Sequence, residues 1–190
     1  MRHKGIKKEE TKGKIIEAIS RGFRKYGYSG IGVDGLAKTA GVTSGAFYSH
    51  MNSKDAAFEI ALEMGLNEVI NAIPDFQEKY KNQWIQEFCE YYLSQEHRND
   101  LECGCAMASL TQDVIRSNKN IHQLYEDKME KIAALIALGL TGDNEEKRIE
   151  KAWAMLSILI GGLNIARATH SPALAENISK TIIKAAIDIA

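Results

Sequence analysis

"GVTSGAFYSHMNSK", residues 41–54, has the composition of a very short helix that is entered through a tight turn and followed at once by a second helix. Gly41 permits the positive φ of a sharp reversal, and Thr43 is placed to cap a helix that ends near Met51. Ser53 can cap the next helix. A helix this short buries little by itself, so the segment predicts an element whose exposed face contacts another molecule.

Apolar residues repeat at helical spacing on the N-terminal side of this segment and predict two further helices. Thr11 is placed to cap the first helix, and Gly27 to end it with a left-handed residue. The first apolar face consists of Ile15, Ile16, Ile19, Phe23 and Tyr26, and the second consists of Val33, Leu36, Ala37 and Ala40. Two short helices joined by a glycine turn, the second with a hydroxyl cap, form a helix-turn-helix unit, whose second helix lies in the DNA major groove.

The remainder of the chain keeps the helical period and shows no alternation of apolar and polar residues, so we expect an all-α fold. The fourth helix is expected to run up to Pro74, where the chain must bend or restart. Ser171 and Pro172 are suited to open the last helix. Five helices are predicted after Pro74, at about 76–96, 104–117, 121–140, 144–169 and 172–189.

The longest apolar segment, residues 152–166, is shorter than the roughly 20 residues that cross a bilayer and contains two glycines. It fits a buried helix better than a membrane span. The N-terminal residues lack the apolar run of a secretory signal, and three cysteines argue against a disulfide scaffold. We therefore expect a cytoplasmic protein that has no membrane partner.

The net charge of −1 conceals an asymmetry between the two parts of the chain. Residues 1–54 contain 11 Lys and Arg against four Asp and Glu, whereas residues 55–190 contain 13 against 21. A basic end attracts a polyanion, and the acidic remainder is repelled by the same partner. The alternative is that these lysines and arginines only solvate exposed helix faces.

Over residues 15–58, "IIEAISRGFRKYGYSGIGVDGLAKTAGVTSGAFYSHMNSKDAAF", the chain resembles the TetR family of bacterial transcriptional regulators. The resemblance implies a three-helix DNA-binding domain at residues 1–54 and a helical ligand-binding and dimerisation domain at residues 55–190. It further implies a homodimeric regulator. We expect a repressor that binds a palindromic operator and is released by a small-molecule inducer, with the fourth helix as the lever between the two parts.

The resemblance also implies which residues contact DNA. Thr43, Ser44, Gly45 and Ala46 open the recognition helix, and Tyr48, His50 and Lys54 occupy places that contact the DNA backbone. Tyr48 and His50 could instead pack within their own domain. The candidate DNA-binding residues are Gly32, Val33, Thr43, Ser44, Gly45, Ala46, Tyr48, His50 and Lys54, with Lys4, Lys7 and Lys8 as a flexible basic arm. The chain departs from the family pattern at Gly32, where Ser or Thr is usual, at Gly35 inside the second helix, and at Met51, where Phe is usual.

Aromatic and sulfur-containing residues at helical spacing in the second part could line an apolar cavity, as between the helices of a bundle. An apolar or aromatic inducer would fit such a cavity. The same pattern also describes an ordinary core. The candidate ligand-binding residues are Trp84, Phe88, Tyr91, Tyr92, Met107, Leu110 and Trp153.

Cys103 and Cys105 stand at the predicted start of a helix, where backbone N–H groups favour the reactive thiolate. One alternative function is therefore a thiol-based sensor of oxidants or electrophiles, and another is a helical thiol-dependent enzyme. Packing as small apolar residues is the simpler interpretation. The sequence contains no paired carboxylate site, metal motif or phosphate-binding glycine loop, so we expect no enzyme, no cofactor and no metal.

The last two predicted helices are apolar on more than one side, which indicates two surfaces to bury. One can face the domain core and the other a twin subunit, with Gly161 and Gly162 allowing close approach. A symmetric homodimer through these helices would present two recognition helices to a two-fold DNA site. The alternative is a single deeply buried helix in a monomer.

Overall fold

The computed structural model describes the backbone of residues 2–190 and the side chains of residues 9–190. Within these residues the chain forms α-helices and no strand, which confirms the predicted all-α fold. The helices are α1 Arg2–Gly30, α2 Val33–Thr39, α3 Ser44–Met51, α4 Lys54–Tyr80, α5 Trp84–Tyr92, α6 Gln95–Asn99, α7 Ala106–Ile115, α8 Lys119–Leu138, α9 Glu145–Ala168 and α10 Pro172–Ile189.

The chain divides into two compact units. The first unit comprises residues 1–65 and 101–122, and the second comprises residues 66–100 and 123–190. The predicted DNA-binding domain, residues 1–54, falls within the first unit, which also takes in the start of α4 and all of α7. The division into domains at residue 54 stays a prediction.

The core of the first unit is built around apolar side chains of α1, α2, α3 and α4. Phe23, Leu36, Phe47 and Leu62 are fully buried, and the ring of Phe23 meets that of Phe58 edge to face at 5.5 Å between centroids. Gly22 lets α1 and α2 approach closely, since a Cβ there would lie 2.7 Å from Leu36 Cδ2. This core fixes α2 and α3 against α1.

Hydrogen bonds hold α1 to the segment that leads into α7, within the first unit. The Arg24 guanidinium donates to the carbonyl oxygens of Cys103 and Gly104, both at 3.1 Å. The Lys25 ammonium meets the Glu102 carboxylate at 2.6 Å. Residues 101–105 therefore belong structurally with the N-terminal helices.

Three predicted helix boundaries are wrong. The helix α1 begins at Arg2, so Thr11 lies within it and is no cap. Gly27 has the predicted positive φ of 71°, but it kinks α1 without ending it, and the helix runs on to Gly30. The helix α4 continues through Pro74 to Tyr80. Proline removes a single helical hydrogen bond, and Ile70 and Ile73, both buried beside it, hold the helix together.

The single helix predicted at residues 76–96 is also wrong, because the chain breaks there twice. A 3₁₀ turn at Lys81–Gln83, with Lys81 at a φ of 50°, separates α4 from α5. Ser94 then begins α6, because its Oγ accepts a hydrogen bond from the His97 N–H at 3.1 Å. The cap at Ser94 therefore starts a new helix although the apolar pattern continues through it.

The helices α9 and α10 pack together in the second unit. Gly162 permits this contact, since a Cβ there would lie 2.6 Å from Ile182 Cγ2. Among the described helices α9 alone is long and apolar enough to cross a membrane, a test that core helices also pass. Its buried side chains, among them Leu156 and Leu163, pack inside the unit, as expected of a core helix.

Candidate DNA interface

The turn between α2 and α3 has the geometry that the sequence predicts. Gly41 adopts a φ of 68°, and the Val42 N–H donates to the Ala37 carbonyl oxygen at 3.0 Å. Thr43 then caps α3, because its Oγ1 accepts a hydrogen bond from the Ala46 N–H at 3.2 Å. The two helices and the turn form a helix-turn-helix unit.

The helix α3 has one buried face and one exposed face. Phe47 and Met51 point into the core and are 0% and 1% exposed. Tyr48, next to Phe47 in the chain, is 50% exposed, and its ring meets the Phe47 ring edge to face. The anchored face holds the helix in place while Tyr48 and the residues near Thr43 stay accessible.

Each of the nine candidate DNA-binding residues is exposed or half-buried. Gly32 is the exposed N-cap of α2 and makes no side-chain cap, as expected from the loss of the usual hydroxyl. A Cβ at Gly32 would meet no atom within 4 Å, and one at Gly45 would meet Thr43 Oγ1 at 3.9 Å. The backbone at these two positions is therefore open to a close partner. The exposed members are Gly32, Thr43, Gly45 and Tyr48, and the half-buried ones are Val33, Ser44, Ala46, His50 and Lys54.

Lys54 begins α4 and is positioned by an aromatic ring. Its ammonium nitrogen lies 4.3 Å from the centroid of the Tyr28 ring. The Tyr28 hydroxyl donates a hydrogen bond to the Asp55 carboxylate, and this bond, with burial and the carboxylate charge, raises the pKa of Tyr28 to about 12. Ser53 caps the helix as predicted, accepting from the Ala56 N–H at 3.0 Å.

Two residues of this surface, Tyr28 and Asp34, are not among the residues predicted from the sequence, and Asp34 stands in the first turn of α2. The Ser44 hydroxyl donates a hydrogen bond to Asp34 Oδ1 at 2.5 Å. The pair thus joins the first turn of α2 to the first turn of α3. A sequence signal exists, because Asp34 is the only acidic residue between Glu17 and Asp55.

The predicted basic arm cannot be placed in the same way. Lys4, Lys7 and Lys8 lie outside the residues whose side chains are described.

The candidate ligand-binding residues do not form one group. Met107 and Leu110 are buried in the first unit, and Trp153 is 37% exposed on α9 of the second unit. In the second unit the Phe88 ring lies 6.2 Å from Trp84 and 5.9 Å from Tyr92, and these three side chains are buried. Tyr91 is 53% exposed, and its ring stacks on the His97 imidazole.

A groove of about 670 Å³ lies elsewhere in the second unit, and none of the candidate ligand-binding residues lines it. Its walls come from the end of α5, the start of α6 and one side of α10. They combine apolar side chains such as Ile183 and Ile187 with charged ones such as Lys180 and Glu176. The prediction of individual ligand contacts stays a prediction.

The three cysteines have different surroundings, and none is in a disulfide. Cys103 is exposed, Cys105 is buried at the N-cap of α7, and Cys89 is buried in α5. Burial raises the pKa of the Cys89 thiol to about 12. Within residues 9–190 no group of three or more His, Cys, Asp or Glu side chains is placed to hold a metal ion.

The family model described as bacterial regulatory proteins, tetR family, matches residues 15–61. These residues contain the helix-turn-helix unit and the anchored α3. Residues 15–61 thus carry the DNA-binding part typical of the tetR family. The family predicted from the sequence is therefore confirmed.

Two relatives with sequence similarity are HTH-type transcriptional regulators. The uncharacterised HTH-type transcriptional regulator YerO of Bacillus subtilis is 28% identical over 169 residues, which cover 81% of this chain and 53% of that protein. The chain thus spans about half the length of this relative. The HTH-type transcriptional regulator TtgR of Pseudomonas putida is 40% identical over 55 residues, or 29% of this chain and 26% of that protein.

Solved structures share the fold. The reduced form of NemR from E. coli superposes with a TM-score of 0.75 at 19% identity, covering 91% of this chain and 95% of that one. A TetR-family regulator from Agrobacterium tumefaciens gives a TM-score of 0.77 at 12% identity, covering 93% and 97%. The two relatives found by sequence similarity are named as transcriptional regulators, which supports the expectation that this chain is not an enzyme.

Proposed function

We propose that this chain is a cytoplasmic DNA-binding transcriptional regulator that inserts α3 into the major groove of a palindromic operator and represses transcription there. The observation that carries the proposal is the division of α3. Phe47 and Met51 are buried, whereas Tyr48, Thr43 and Gly45 remain exposed on the other side. A helix held in this way can meet a duplex without losing its own core.

The side chains of this surface divide into two roles on DNA. Thr43, Tyr48 and Lys54 carry hydroxyl or ammonium donors that suit phosphate oxygens, which fix the position of the protein without reading sequence. Ser44 and Ala46 start α3, the part of a recognition helix that meets base edges. The excess of Lys and Arg in residues 1–54 supplies attraction that does not depend on sequence.

Selection of bound duplexes from random DNA at a stated salt concentration tests this proposal. We expect enrichment of two half-sites related by a two-fold axis, with centres about 10 base pairs or a multiple apart. Lys54→Ala should weaken binding to all duplexes alike, whereas Ala46→Ser should change the preferred bases. Failure to retain any duplex at low ionic strength would contradict the proposal.

The proposed homodimer forms through α9 and α10, which carry apolar side chains exposed in the single chain. Ile165 and Leu174 are 58% and 52% exposed. A Cβ at Gly161 would meet no atom within 4 Å, so this glycine leaves room for a partner helix, whereas Gly162 is already covered by Ile182. Ile165→Asp should shift the sedimentation coefficient toward a monomer. Leu138→Asp, an equally polar change at a 77% exposed residue of α8, should leave the dimer intact.

The proposed inducer is a small apolar or aromatic compound that binds the second unit. The rings of Trp84, Phe88 and Tyr92 are buried against one another there, so a compound that enters between their helices would meet apolar side chains. A ligand that prefers the conformation in which the two α3 helices no longer match the DNA weakens binding by its difference in affinity for the two states. A panel of aromatic compounds tested for release of labelled operator should contain an active compound whose effect is lost in Phe88→Leu. An active compound that is indifferent to substitutions at all three rings would place the site elsewhere.

A second candidate function, a thiol-based sensor, is favoured by the position of Cys103. Its thiol is exposed, and its carbonyl oxygen accepts a hydrogen bond from Arg24 of α1. A modification at this residue therefore acts on a segment that holds α1. Mild peroxide or an electrophile should lower the operator affinity of the natural chain and not that of Cys103→Ser. Equal loss of affinity in both proteins would exclude this function.

A further inference from the structure

Asp34 is an acidic residue on the surface that is proposed to contact DNA. It is exposed in the first turn of α2, and the next acidic residues along the chain are Glu17 and Asp55. A carboxylate near a duplex is repelled by the phosphates. A carboxylate beside the start of α3 is therefore expected to bind a particular group of the DNA.

The hydrogen bond to Ser44 fixes where this carboxylate lies. Ser44 Oγ donates to Asp34 Oδ1 at 2.5 Å, which holds the carboxylate against the first residue of α3. The bond uses the only hydroxyl proton of Ser44. The pair therefore has only acceptors left for a further partner, namely the second oxygen of the exposed Asp34 carboxylate and the lone pairs of the hydroxyl.

Hydrogen-bond acceptors of a protein in the major groove can bond only to base edges that carry a donor. The groove presents donors at the N4 amino group of cytosine and the N6 amino group of adenine, and adenine adds the N7 acceptor beside its donor. An acceptor-only pair is repelled by that N7 and by the O6 and N7 acceptors of guanine. Cytosine is the edge that matches, and a carboxylate is a known acceptor for its N4 amino group.

We infer that Asp34, held by Ser44, determines specificity by accepting a hydrogen bond from the N4 amino group of one cytosine in each half-site of the operator. This inference rests on the proposed function. It names a residue of α2, whereas the residues already assigned to base edges lie on α3.

A merely structural role is the competing explanation. Asp34 stands in the first turn of α2, where a negative charge favours the helix, and its bond to Ser44 clips α2 to α3. Loss of such a clip would lower affinity for all duplexes to the same degree. Loss of a base contact changes the preference at one position and leaves the other positions as they were.

Duplex selection on the full chain at one salt concentration separates the two explanations. The natural chain should prefer cytosine at one position of each half-site by about tenfold, the low range of a good base contact. Asp34→Ala should reduce that preference to less than about twofold, while the other positions keep theirs. Asp34→Asn should move the preference to adenine, because an amide matches the N6 donor and N7 acceptor together.

Glu17→Gln is the matched control, since Glu17 is an exposed carboxylate of α1 paired with Arg21. It removes the same charge and should leave every base preference unchanged. If Asp34→Ala and Asp34→Asn bind DNA with the base preferences of the natural chain, the inference is wrong and the proposed function stands. If the natural chain selects no duplex, the proposed function fails and the inference fails with it.

Discussion

Phe47 and Tyr48 are neighbours in the chain, and replacing each by alanine should produce opposite effects. Phe47 is fully buried, so Phe47→Ala removes a whole core ring and should lower the free energy of unfolding by about 3–5 kcal/mol. Tyr48 is 50% exposed, and Tyr48→Ala should cost about 1 kcal/mol or less. The Tyr48 variant should instead lose one hydrogen bond to a phosphate, about 1.5 kcal/mol or roughly tenfold in Kd.

Two assays measure these effects separately. Urea denaturation followed by circular dichroism gives the free energy of unfolding, and fluorescence anisotropy of a labelled duplex at fixed salt gives Kd. Tyr26→Ala is the control, since Tyr26 is also about half exposed but lies on α1, outside the candidate DNA-binding residues. The reasoning is refuted if Tyr48→Ala destabilises the fold as much as Phe47→Ala, or if it binds the duplex as tightly as Tyr26→Ala.

Three further predictions concern packing, protonation and thiol reactivity. Gly162→Ala should lower the free energy of unfolding in urea by about 1–3 kcal/mol, because the new Cβ would lie 2.6 Å from Ile182 Cγ2. Gly13→Ala, with open space at its Cβ, should raise the free energy of unfolding by up to about 1 kcal/mol. Equal effects of the two substitutions would contradict the packing of α9 on α10. Burial lowers the pKa of His97, and the charge of Arg167 acts in the same direction, while the Tyr92 carbonyl and Asp100 oppose the shift. As the pH falls, His97 is therefore protonated in the unfolded chain before it is protonated in the folded one, so the free energy of unfolding should fall as the pH drops below about 6.5. His97→Asn should flatten the urea midpoint between pH 7 and 5, and an unchanged slope would count against this reading. N-ethylmaleimide at pH 7 should label Cys103 first and leave Cys89 unmodified in the folded chain, as peptide mass spectrometry would show; early labelling of Cys89 would contradict its burial.

The sequence predicts best the features that depend on neighbouring residues. The cap at Thr43, the cap at Ser53 and the positive φ of Gly41 follow from side chains within three residues of the turn. The same holds for Ser171, whose Oγ caps α10 with Pro172 in its first turn. Local hydrogen bonding decides these positions, and it can be read from the residue types.

Contacts between distant residues account for most of what the sequence did not predict. Pro74 predicts an end to α4, but burial of Ile70 and Ile73 in the tertiary core outweighs one missing hydrogen bond. Arg24 reaches the carbonyl oxygens of Cys103 and Gly104, some 80 residues away, and this bond places that segment in the first unit. No sequence pattern predicts a contact between residues so far apart in the chain.

In the candidate DNA interface, too, local features could be predicted from the sequence and contacts between helices could not. Its position on α2, α3 and the start of α4 could be predicted, because the turn and caps define the helix-turn-helix unit. The support of Lys54 by the Tyr28 ring and the bond from Ser44 to Asp34 could not, since each depends on how the helices pack. Charge alone indicates a polyanion, and the sequence singles out Asp34 as the only acidic residue between Glu17 and Asp55, but only the packing shows that Asp34 meets Ser44.

Photo-crosslinking tests most directly whether α3 contacts DNA. p-Azidophenylalanine keeps an aromatic ring and can replace Tyr48 on α3 or Tyr26 on α1, two tyrosines of nearly equal exposure. With a selected duplex, irradiation should give a covalent protein–DNA product from position 48 and little from position 26. Equal yields at the two positions, or product from position 26 alone, would contradict the claim that the exposed face of α3 lies against the duplex.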